Sequence, residues 1–183
     1  MGSEMCIRDS GVPVNIVYPG GIFGPKDPNP NLSDSMGMLT EILKRNLGLT
    51  ASSAKLAMVD VRDVANVCVG ALEVESKNAR YHAWGELVTM DQVIDLVKKI
   101  TDRNIRFYST PLFLLDAMGT FGEVFTLATR IRLPFAKESM KMFTQNARVN
   151  GPGKIDQSRA NNDFGFQSIS LEESLKDALL WLH

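Results

Sequence analysis

Residues 14–25 read Val14-Asn15-Ile16-Val17-Tyr18-Pro19-Gly20-Gly21-Ile22-Phe23-Gly24-Pro25, and this stretch decides the fold. Its first half continues a β-branched, apolar run over 12–18 that is typical of a buried parallel strand. The glycines then predict a loop whose backbone can approach another group closely. Pro25, Pro28 and Pro30 exclude a helix directly after that loop.

The glycine loop does not have the pattern of a dinucleotide phosphate-binding turn. That turn needs glycine at three positions and a helix whose first turn contains the last of them. Pro19 occupies the first of these positions, and Pro25 follows the last. Two interpretations of the loop stay open, a turn that only ends the strand and a loop whose backbone contacts a ligand in the intact protein.

Outward from the loop, strand and helix patterns alternate along the chain. We expect strands over 56–61, 80–84 and 105–108. We expect helices over 36–47, after an Asp63 N-cap, after Thr89, over the amphipathic segment 110–133 and after Ser170. Thr89 with Gln92, and Ser170 with Glu173, have the spacing of capping boxes.

The apolar positions of these helices predict their buried faces. The expected inner face of the helix after Asp63 is Val64, Val67, Cys68, Ala71 and Leu72, so that Cys68 is a buried thiol. The expected inner face of the helix after Thr89 is Met90, Val93, Ile94 and Val97. The expected face of the last helix is Leu171, Leu175, Ala178, Leu179 and Leu182.

The composition is that of one ordinary globular domain, with 183 residues, 44% of them hydrophobic and 22% charged. The 20 basic and 21 acidic side chains give a net charge of −1 and form no block of like charge. We therefore predict no nucleic-acid partner, because such a surface needs concentrated basic charge. Charges at Asp116, Glu123 and Arg130 interrupt the most apolar segment, so we also predict no membrane span.

The counts of cysteine and histidine limit other chemistry. Two cysteines and two histidines are too few for a disulfide framework or a histidine-based metal centre, so we predict no metal site. No secretory pattern opens the chain, and we expect a cytoplasmic protein. Residues 1–10 have no periodicity and are interpreted as a leader or artefact, followed by one domain over 11–183.

Three segments together resemble the C-terminal portion of an extended short-chain dehydrogenase/reductase of the NAD-dependent epimerase/dehydratase kind. Pro19, Gly24 and Pro25 match the Pro-x-x-x-x-Gly-Pro pattern of that family. Residues 58–65 are similar to its hydrophobic-Val-Asp-Val-x-Asp-Val-Ala segment. Residues 156–166 are similar to its final Asp-x-Ser-Lys-Ala … Leu-Gly-Phe stretch, with Arg159 in place of lysine.

The resemblance implies an α/β fold, the C-terminal part of a Rossmann-like doubly wound parallel sheet with a mostly helical substrate lobe. It implies NAD or NADP as the cofactor of the intact parent and a sugar nucleotide or small carbonyl or alcohol as substrate. The implied contacts to the nicotinamide carboxamide are Pro19, Gly20, Gly21 and Ile22. The candidate substrate residues are Lys26, Asn29 and Arg80.

The family's acid/base motif, Tyr-x-x-x-Lys, is not in this sequence. The tyrosines Tyr18, Tyr81 and Tyr108 are followed four residues later by isoleucine, glycine and leucine. We name no catalytic residue, and we expect the chain to be inactive alone and to bind no nicotinamide cofactor tightly. The alternative function is a non-catalytic binding or regulatory module that retains the substrate lobe.

A partial parallel sheet also affects how the chain behaves in solution. Strands of such a sheet normally have neighbours at both edges and helices on both faces. Exposed edges and apolar faces favour association. We therefore expect aggregation or a homo-oligomer that covers them.

Overall fold

The computed structural model describes the residues that carry most of these predictions. They are 11, 13–31, 33–50, 55–75, 78–114, 117, 120–121, 145 and 156–182. The predicted leader at 1–10 and most of the amphipathic helix at 110–133 lie outside the described residues, as does most of the predicted substrate lobe.

The described strands and helices alternate over the first two thirds of the chain. The strands are β1 (Ile16–Pro19), β2 (Gly21–Phe23), β3 (Leu47–Thr50), β4 (Lys55–Asp60), β5 (Arg80–Ala83), β6 (Glu86–Thr89) and β7 (Arg106–Ser109). The helices are α1 (Asp34–Arg45), α2 (Val61–Glu73), α3 (Met90–Thr101), α4 (Ser158–Phe164) and α5 (Leu171–Trp181).

The strand pairing confirms the predicted α/β class. β1 pairs with β5, β2 with β4, and β3 with β7, all in parallel. β6 runs antiparallel to β4 and extends the β2–β4 sheet to three strands. The chain changes direction between β5 and β6 at Gly85, whose φ of 64° lies in the left-handed region.

The segment predicted as a glycine loop is instead a second short strand. β1 ends at Pro19, and β2 begins at Gly21. The N–H of Gly20 still donates to the Ala83 carbonyl at 2.9 Å, so the strand that pairs with the chain changes from β5 to β4 within one residue. The prolines of 25–30 keep the following segment free of helix, as predicted.

The larger core lies between α1, α3, α5 and the β2–β4–β6 sheet. Its buried residues are Phe23, Met36, Leu39, Ile42, Leu43, Leu56, Met58, Val88, Met90, Val93, Ile94, Val97, Ile105, Leu171, Leu175, Ala178 and Leu179. The four predicted inward residues of α3 are therefore confirmed. So are the first four of α5, while Leu182 is only partly buried.

Both predicted N-caps of these helices are confirmed. The Thr89 side chain accepts from the Gln92 N–H at 3.3 Å, and the Gln92 side chain accepts from the Thr89 N–H at 2.8 Å. Ser170 Oγ accepts from the Glu173 N–H at 3.4 Å. Caps of this kind satisfy N–H groups that a helix leaves unpaired at its start.

The first helix is shorter at its C-terminus than predicted. α1 ends at Arg45, and Asn46 takes the left-handed conformation with φ 48°. Leu47, predicted to lie on the helix, begins β3 and pairs with Arg106. Asparagine tolerates this conformation better than most residues, which explains why the helix ends there.

Two predictions for α2 are wrong. Its N-cap is Asp60, whose side chain accepts from the Arg62 N–H, whereas Asp63 lies inside the first turn. Cys68 is exposed, and Leu72 is 85% exposed. The helix turns its small residue Gly70 inward instead, because the Phe164 ring packs where a Cβ of Gly70 would lie.

A second, smaller core joins α2 and α4 to β5. Its buried residues are Val67, Ala71, Ala79, Tyr81, Ala83 and Ala160. The Tyr81 hydroxyl donates to Asp163 Oδ2 at 2.8 Å, and the rings of Tyr81 and Phe164 pack with centroids 5.2 Å apart. Helix α4 is thereby held on the face of β5.

Across the part of the chain that the structure describes, no helix has both the length and the apolar character needed to cross a membrane.

We predict that Gly85→Ala destabilises the fold by about 3–4 kcal/mol, from left-handed strain and overpacking together. A Cβ at Gly85 would overlap the Met58 carbonyl oxygen and lie 2.8 Å from Val59 Cα. The matched control is Gly165→Ala, because Gly165 has φ 67° but no atom within 4 Å of its Cβ position. That change should cost only about 1 kcal/mol. Equal losses in urea unfolding would contradict the packing account.

Candidate functional site

The parallel pairing brings the predicted nicotinamide contacts to the carboxyl ends of β1 and β5. Pro19 lies opposite Ala83, and the chain continues through Gly20 to Ile22 along β4. Pro19 and Gly21 are exposed, and Ile22 is 39% exposed. Ligands of open α/β sheets bind beyond the carboxyl ends of the strands. Pro19 and Gly20 lie at that end of β1, whereas Gly21 and Ile22 begin β2.

The two glycines of this segment also have a packing role that the sequence did not show. A Cβ at Gly20 would lie 3.0 Å from the Ala57 carbonyl oxygen and 3.1 Å from that of Trp84. A Cβ at Gly21 would lie 3.1 Å from the same Ala57 oxygen. The close backbone approach predicted from these glycines is thus made to β4 and to the β5–β6 turn.

Two of the three candidate substrate residues lie beyond the carboxyl end of β2. Lys26 and Asn29 are both exposed, and Lys26 has a left-handed φ of 65°. The Asn29 N–H donates to Asp27 Oδ1 at 2.9 Å. Trp181 Nε1 donates to the Asp27 carbonyl at 3.5 Å, which connects this loop to the end of α5.

The third candidate, Arg80, is at the other end of its strand. It lies opposite Ile16 at the start of β5, three residues before Ala83. At a rise of about 3.3 Å per residue, this separates it by roughly 10 Å from the edge where residues 19–22 lie. The structure therefore does not bring Arg80 together with the 19–22 segment.

An aromatic group that sequence reasoning missed lies beside that segment. The rings of Tyr18 and His82 stack with centroids 5.4 Å apart, and the Trp84 ring meets His82 edge-on at 5.9 Å. Within the described residues, His82 Nδ1 and Trp84 Nε1 are buried without a hydrogen-bond partner. The sequence offered one indication of this group: His82 and Trp84 are two residues apart in the expected strand over 80–84, and that spacing puts both on one face.

Where β4 ends, a charged network joins α2 to α5. Asp60 is 2% exposed, and its carboxylate accepts from Arg62 Nε at 2.9 Å and Arg62 Nη2 at 2.8 Å. Ser174 Oγ donates to Asp60 Oδ2 at 2.7 Å, and Arg62 Nη1 donates to Asp177 Oδ2 at 2.8 Å. Arg62 therefore lies between the carboxylates of Asp60 and Asp177 and pairs with both.

This network changes the acidity of its members. Burial alone would raise the pKa of Asp60, but the hydrogen bonds from Arg62 and Ser174 outweigh it and lower that pKa. The hydrogen bond to Asp60 raises the pKa of Arg62, although burial opposes the change. Both groups therefore stay charged at neutral pH.

The pKa of the neighbouring Asp63 is shifted in the opposite direction to that of Asp60. It is 1% exposed, its Oδ2 accepts from the Ile169 N–H at 2.9 Å, and its Oδ1 has no partner within the described residues. Burial raises the pKa of Asp63, and the nearby Asp60 charge adds to the increase. The bond to Ile169 and the charge of Arg62 reduce the effect without reversing it.

The site offers neither a metal centre nor an anion-binding helix end within the described residues. No group of three or more histidine, cysteine or acidic side chains is placed to hold a metal ion there. The four longer helices each carry an acidic residue in the first turn, which repels phosphate at the end where the helix dipole attracts it. These residues are Asp34, Asp63, Asp91, Glu172 and Glu173.

We predict that Asp60→Ala lowers the free energy of unfolding by about 3 kcal/mol, because it removes the cap and leaves the buried Ser174 hydroxyl unpaired. Asp60→Asn should cost less, since an amide still caps the helix. The control Asp177→Asn should cost about 0.5 kcal/mol, because its ion pair with Arg62 is partly exposed. Urea unfolding of all three variants measures this order. An Asp177→Asn loss as large as that of Asp60→Ala would contradict the assigned roles.

A second prediction concerns the pH dependence of stability. Because the pKa of Asp63 is raised on folding, its contribution is most favourable at low pH and is lost as the pH rises through the folded pKa. Asp63→Asn removes this titration. The stability of the variant relative to the natural chain should therefore increase from about pH 4 towards neutrality. Urea unfolding at several pH values measures the difference, and a difference that does not change with pH would contradict the prediction.

Comparison with known proteins gives matches among solved structures only. No protein-family model matches the chain, and no curated protein matches it by sequence. The crystal structure of gox2253 matches with a TM-score of 0.68 and 19% identity over 99% of this chain and 52% of that one.

Two further matches have stated activities. UDP-glucuronic acid 4-epimerase from Bacillus cereus, in complex with UDP-glucuronic acid and NAD, matches with a TM-score of 0.63 and 13% identity, over 99% of this chain and 49% of that one. Triphenylmethane reductase from Citrobacter sp. matches with a TM-score of 0.65 and 14% identity, over 97% of this chain and 57% of that one. The chain therefore shares the fold of part of each of these solved structures, one of them an epimerase and one a reductase, and it spans about half of their length.

Proposed function

We propose that this chain is the C-terminal portion of an NAD(P)-dependent oxidoreductase or epimerase that acts on a sugar nucleotide or a small carbonyl or alcohol. Residues 19–22 would contact the nicotinamide end of the cofactor in the intact enzyme. Lys26 and Asn29 would face the substrate, since both are exposed beyond the carboxyl end of β2.

One observation carries the proposal, the meeting of parallel strand ends at the 19–22 segment. β1 and β5 end side by side at Pro19 and Ala83, and Gly20 continues the chain with its N–H bonded to Ala83. An uncharged backbone edge of this kind suits a carboxamide, which both donates and accepts hydrogen bonds. The fold shared with an epimerase whose structure contains NAD supports the same assignment.

The described residues fit the nicotinamide end of a dinucleotide better than its pyrophosphate. Pro19 and Gly21 are exposed. Within the described part of the chain, none of the four longest helices presents an uncharged first turn to a phosphate, and Asp60 occupies the start of α2 with its own carboxylate. When bound, the cofactor would supply hydride transfer, and the residues of this chain would orient its nicotinamide ring.

Binding by the isolated chain should therefore be weak. Dinucleotide-binding folds hold the pyrophosphate in a cradle at a helix N-terminus, which the described residues do not form. The sequence also has no Tyr-x-x-x-Lys motif to act as acid/base. We propose that this chain alone does not catalyse the reaction.

Titration with NAD(H) or NADP(H), followed by calorimetry, should show no binding tighter than millimolar. Titration of the ¹⁵N-labelled chain with millimolar nicotinamide mononucleotide should shift the amide signals of Gly20, Gly21 and Ile22. The amide of Gly165 is the internal control, since it lies in an exposed helix C-cap. Adenosine monophosphate is the matched ligand, and it should not shift the three signals because it lacks the carboxamide.

The outcomes separate the parts of the proposal. Tight dinucleotide binding would contradict the view that the chain lacks a phosphate cradle. Shifts confined to other residues would contradict the nicotinamide contact. If the chain bound a sugar nucleotide tightly without any response to nicotinamide, the non-catalytic binding module would be the better description.

A further inference from the structure

The Gln157 side chain bonds a distant turn instead of capping the helix that follows it. Gln157 is the N-cap residue of α4, but its side chain does not cap that helix. Asp156 supplies a local bond instead, accepting from the Ser158 N–H at 2.9 Å. The Gln157 side chain therefore remains available for a contact across 72 to 73 residues of sequence.

That contact is with three successive peptide units of the β5–β6 turn. Gln157 Oε1 accepts from the Trp84 N–H at 3.0 Å and from the Gly85 N–H at 3.3 Å. Gln157 Nε2 donates to the Gly85 carbonyl at 3.1 Å. A glutamine amide has one accepting oxygen and one donating nitrogen, and here both are used on the same turn.

The first two of these peptide units contact Gly20 through their opposite sides. In a trans peptide the carbonyl and the N–H point in opposite directions. The peptide that joins Ala83 to Trp84 accepts from the Gly20 N–H at 2.9 Å. The peptide that joins Trp84 to Gly85 places its carbonyl oxygen 3.1 Å from the Cβ position of Gly20. The turn is thus held between Gln157 on one side and Gly20 on the other.

The turn cannot easily move away from either contact. Gly85 has a left-handed φ of 64°, and its Cβ position overlaps the Met58 carbonyl of β4. Gly20 is itself confined by the Ala57 carbonyl, 3.0 Å from its Cβ position. A displacement of the Trp84–Gly85 peptide must therefore displace Gly20, because the packing leaves no free space between them.

We propose that Gln157 is a positioning residue that sets the place of the 19–22 segment through the β5–β6 turn. The hydrogen bonds from Trp84 and Gly85 to Gln157 also polarise the two carbonyls that face Gly20. In this way α4, far along the chain, controls the candidate nicotinamide contact. The ligand part of this inference rests on the proposed function, whereas the mechanical part does not.

The test compares amide hydrogen exchange in the natural chain and in Gln157→Leu, which removes all three bonds. Protection of the Gly20 amide should fall about tenfold, while the protection of the amides in α3 changes much less. Gln157→Glu still accepts from Trp84 and Gly85 but no longer donates to Gly85, so its effect should be intermediate. It also serves as the second variant if Gln157→Leu does not fold. Gln167→Leu, a change at an exposed glutamine, is the matched control and should leave Gly20 unchanged.

Two results would overturn the inference. An unchanged Gly20 amide in Gln157→Leu would show that the turn does not transmit the contact. A fall of equal size across α3 would show that Gln157 contributes only to global stability. Both results are independent of any ligand.

The ligand arm uses nicotinamide mononucleotide on the same variants. Gln157→Leu should reduce the shifts of Gly20, Gly21 and Ile22 at a fixed concentration, and equal shifts would contradict a role in positioning for the ligand. If Gly20 responds to Gln157→Leu but the natural chain shows no mononucleotide shifts, the positioning stands and the proposed function fails.

Discussion

The carboxylate of Asp60 accepts hydrogen bonds from two helices at the point where β4 ends, and the packing of both helices depends on it. It caps α2 through the Arg62 N–H, and it receives the Ser174 hydroxyl from α5. Because the carboxylate is buried, its charge would be costly in the core without these hydrogen bonds. The guanidinium of Arg62 lowers this cost and extends the contact to Asp177. One side chain therefore fixes the end of a strand, the start of a helix and the docking of the last helix.

The candidate site depends on a different constraint, the close packing of backbone around Gly20. At this residue the pairing of the chain changes from β5 to β4, and the carbonyl oxygens of Ala57 and Trp84 lie close to the Cβ position of Gly20. A side chain at Gly20 would push the β1–β5 pair away from the β2–β4 pair. The exposed edge at Pro19 and Gly21 is thus a consequence of how the two sheets meet. The nicotinamide contact that we propose is compatible with this packing requirement, because Pro19 and Gly21 stay exposed.

Much of the local structure was predictable from the sequence. The N-caps Thr89 and Ser170 and the inner faces of α3 and α5 were predicted correctly, because each depends on residues within a few turns. The prediction failed for α2, where two aspartates three residues apart both fit an N-cap. It also failed for Cys68, because the helix is oriented by the Phe164 ring that packs on Gly70. That ring comes from a segment more than 90 residues away in sequence, which periodicity cannot show.

The sequence by itself determined the α/β alternation, the starts of α3 and α5 and the end of β1 at a proline–glycine step, because these follow from local propensity and short-range hydrogen bonding. It also placed Pro19, Gly20, Gly21 and Ile22 in one candidate segment. Only the tertiary structure decided that Arg80 lies at the opposite end of its strand from that segment. Only the tertiary structure showed that Gln157 contacts the turn behind Gly20. These features depend on strand register and on contacts between distant segments, and both are set by the packing of the whole chain.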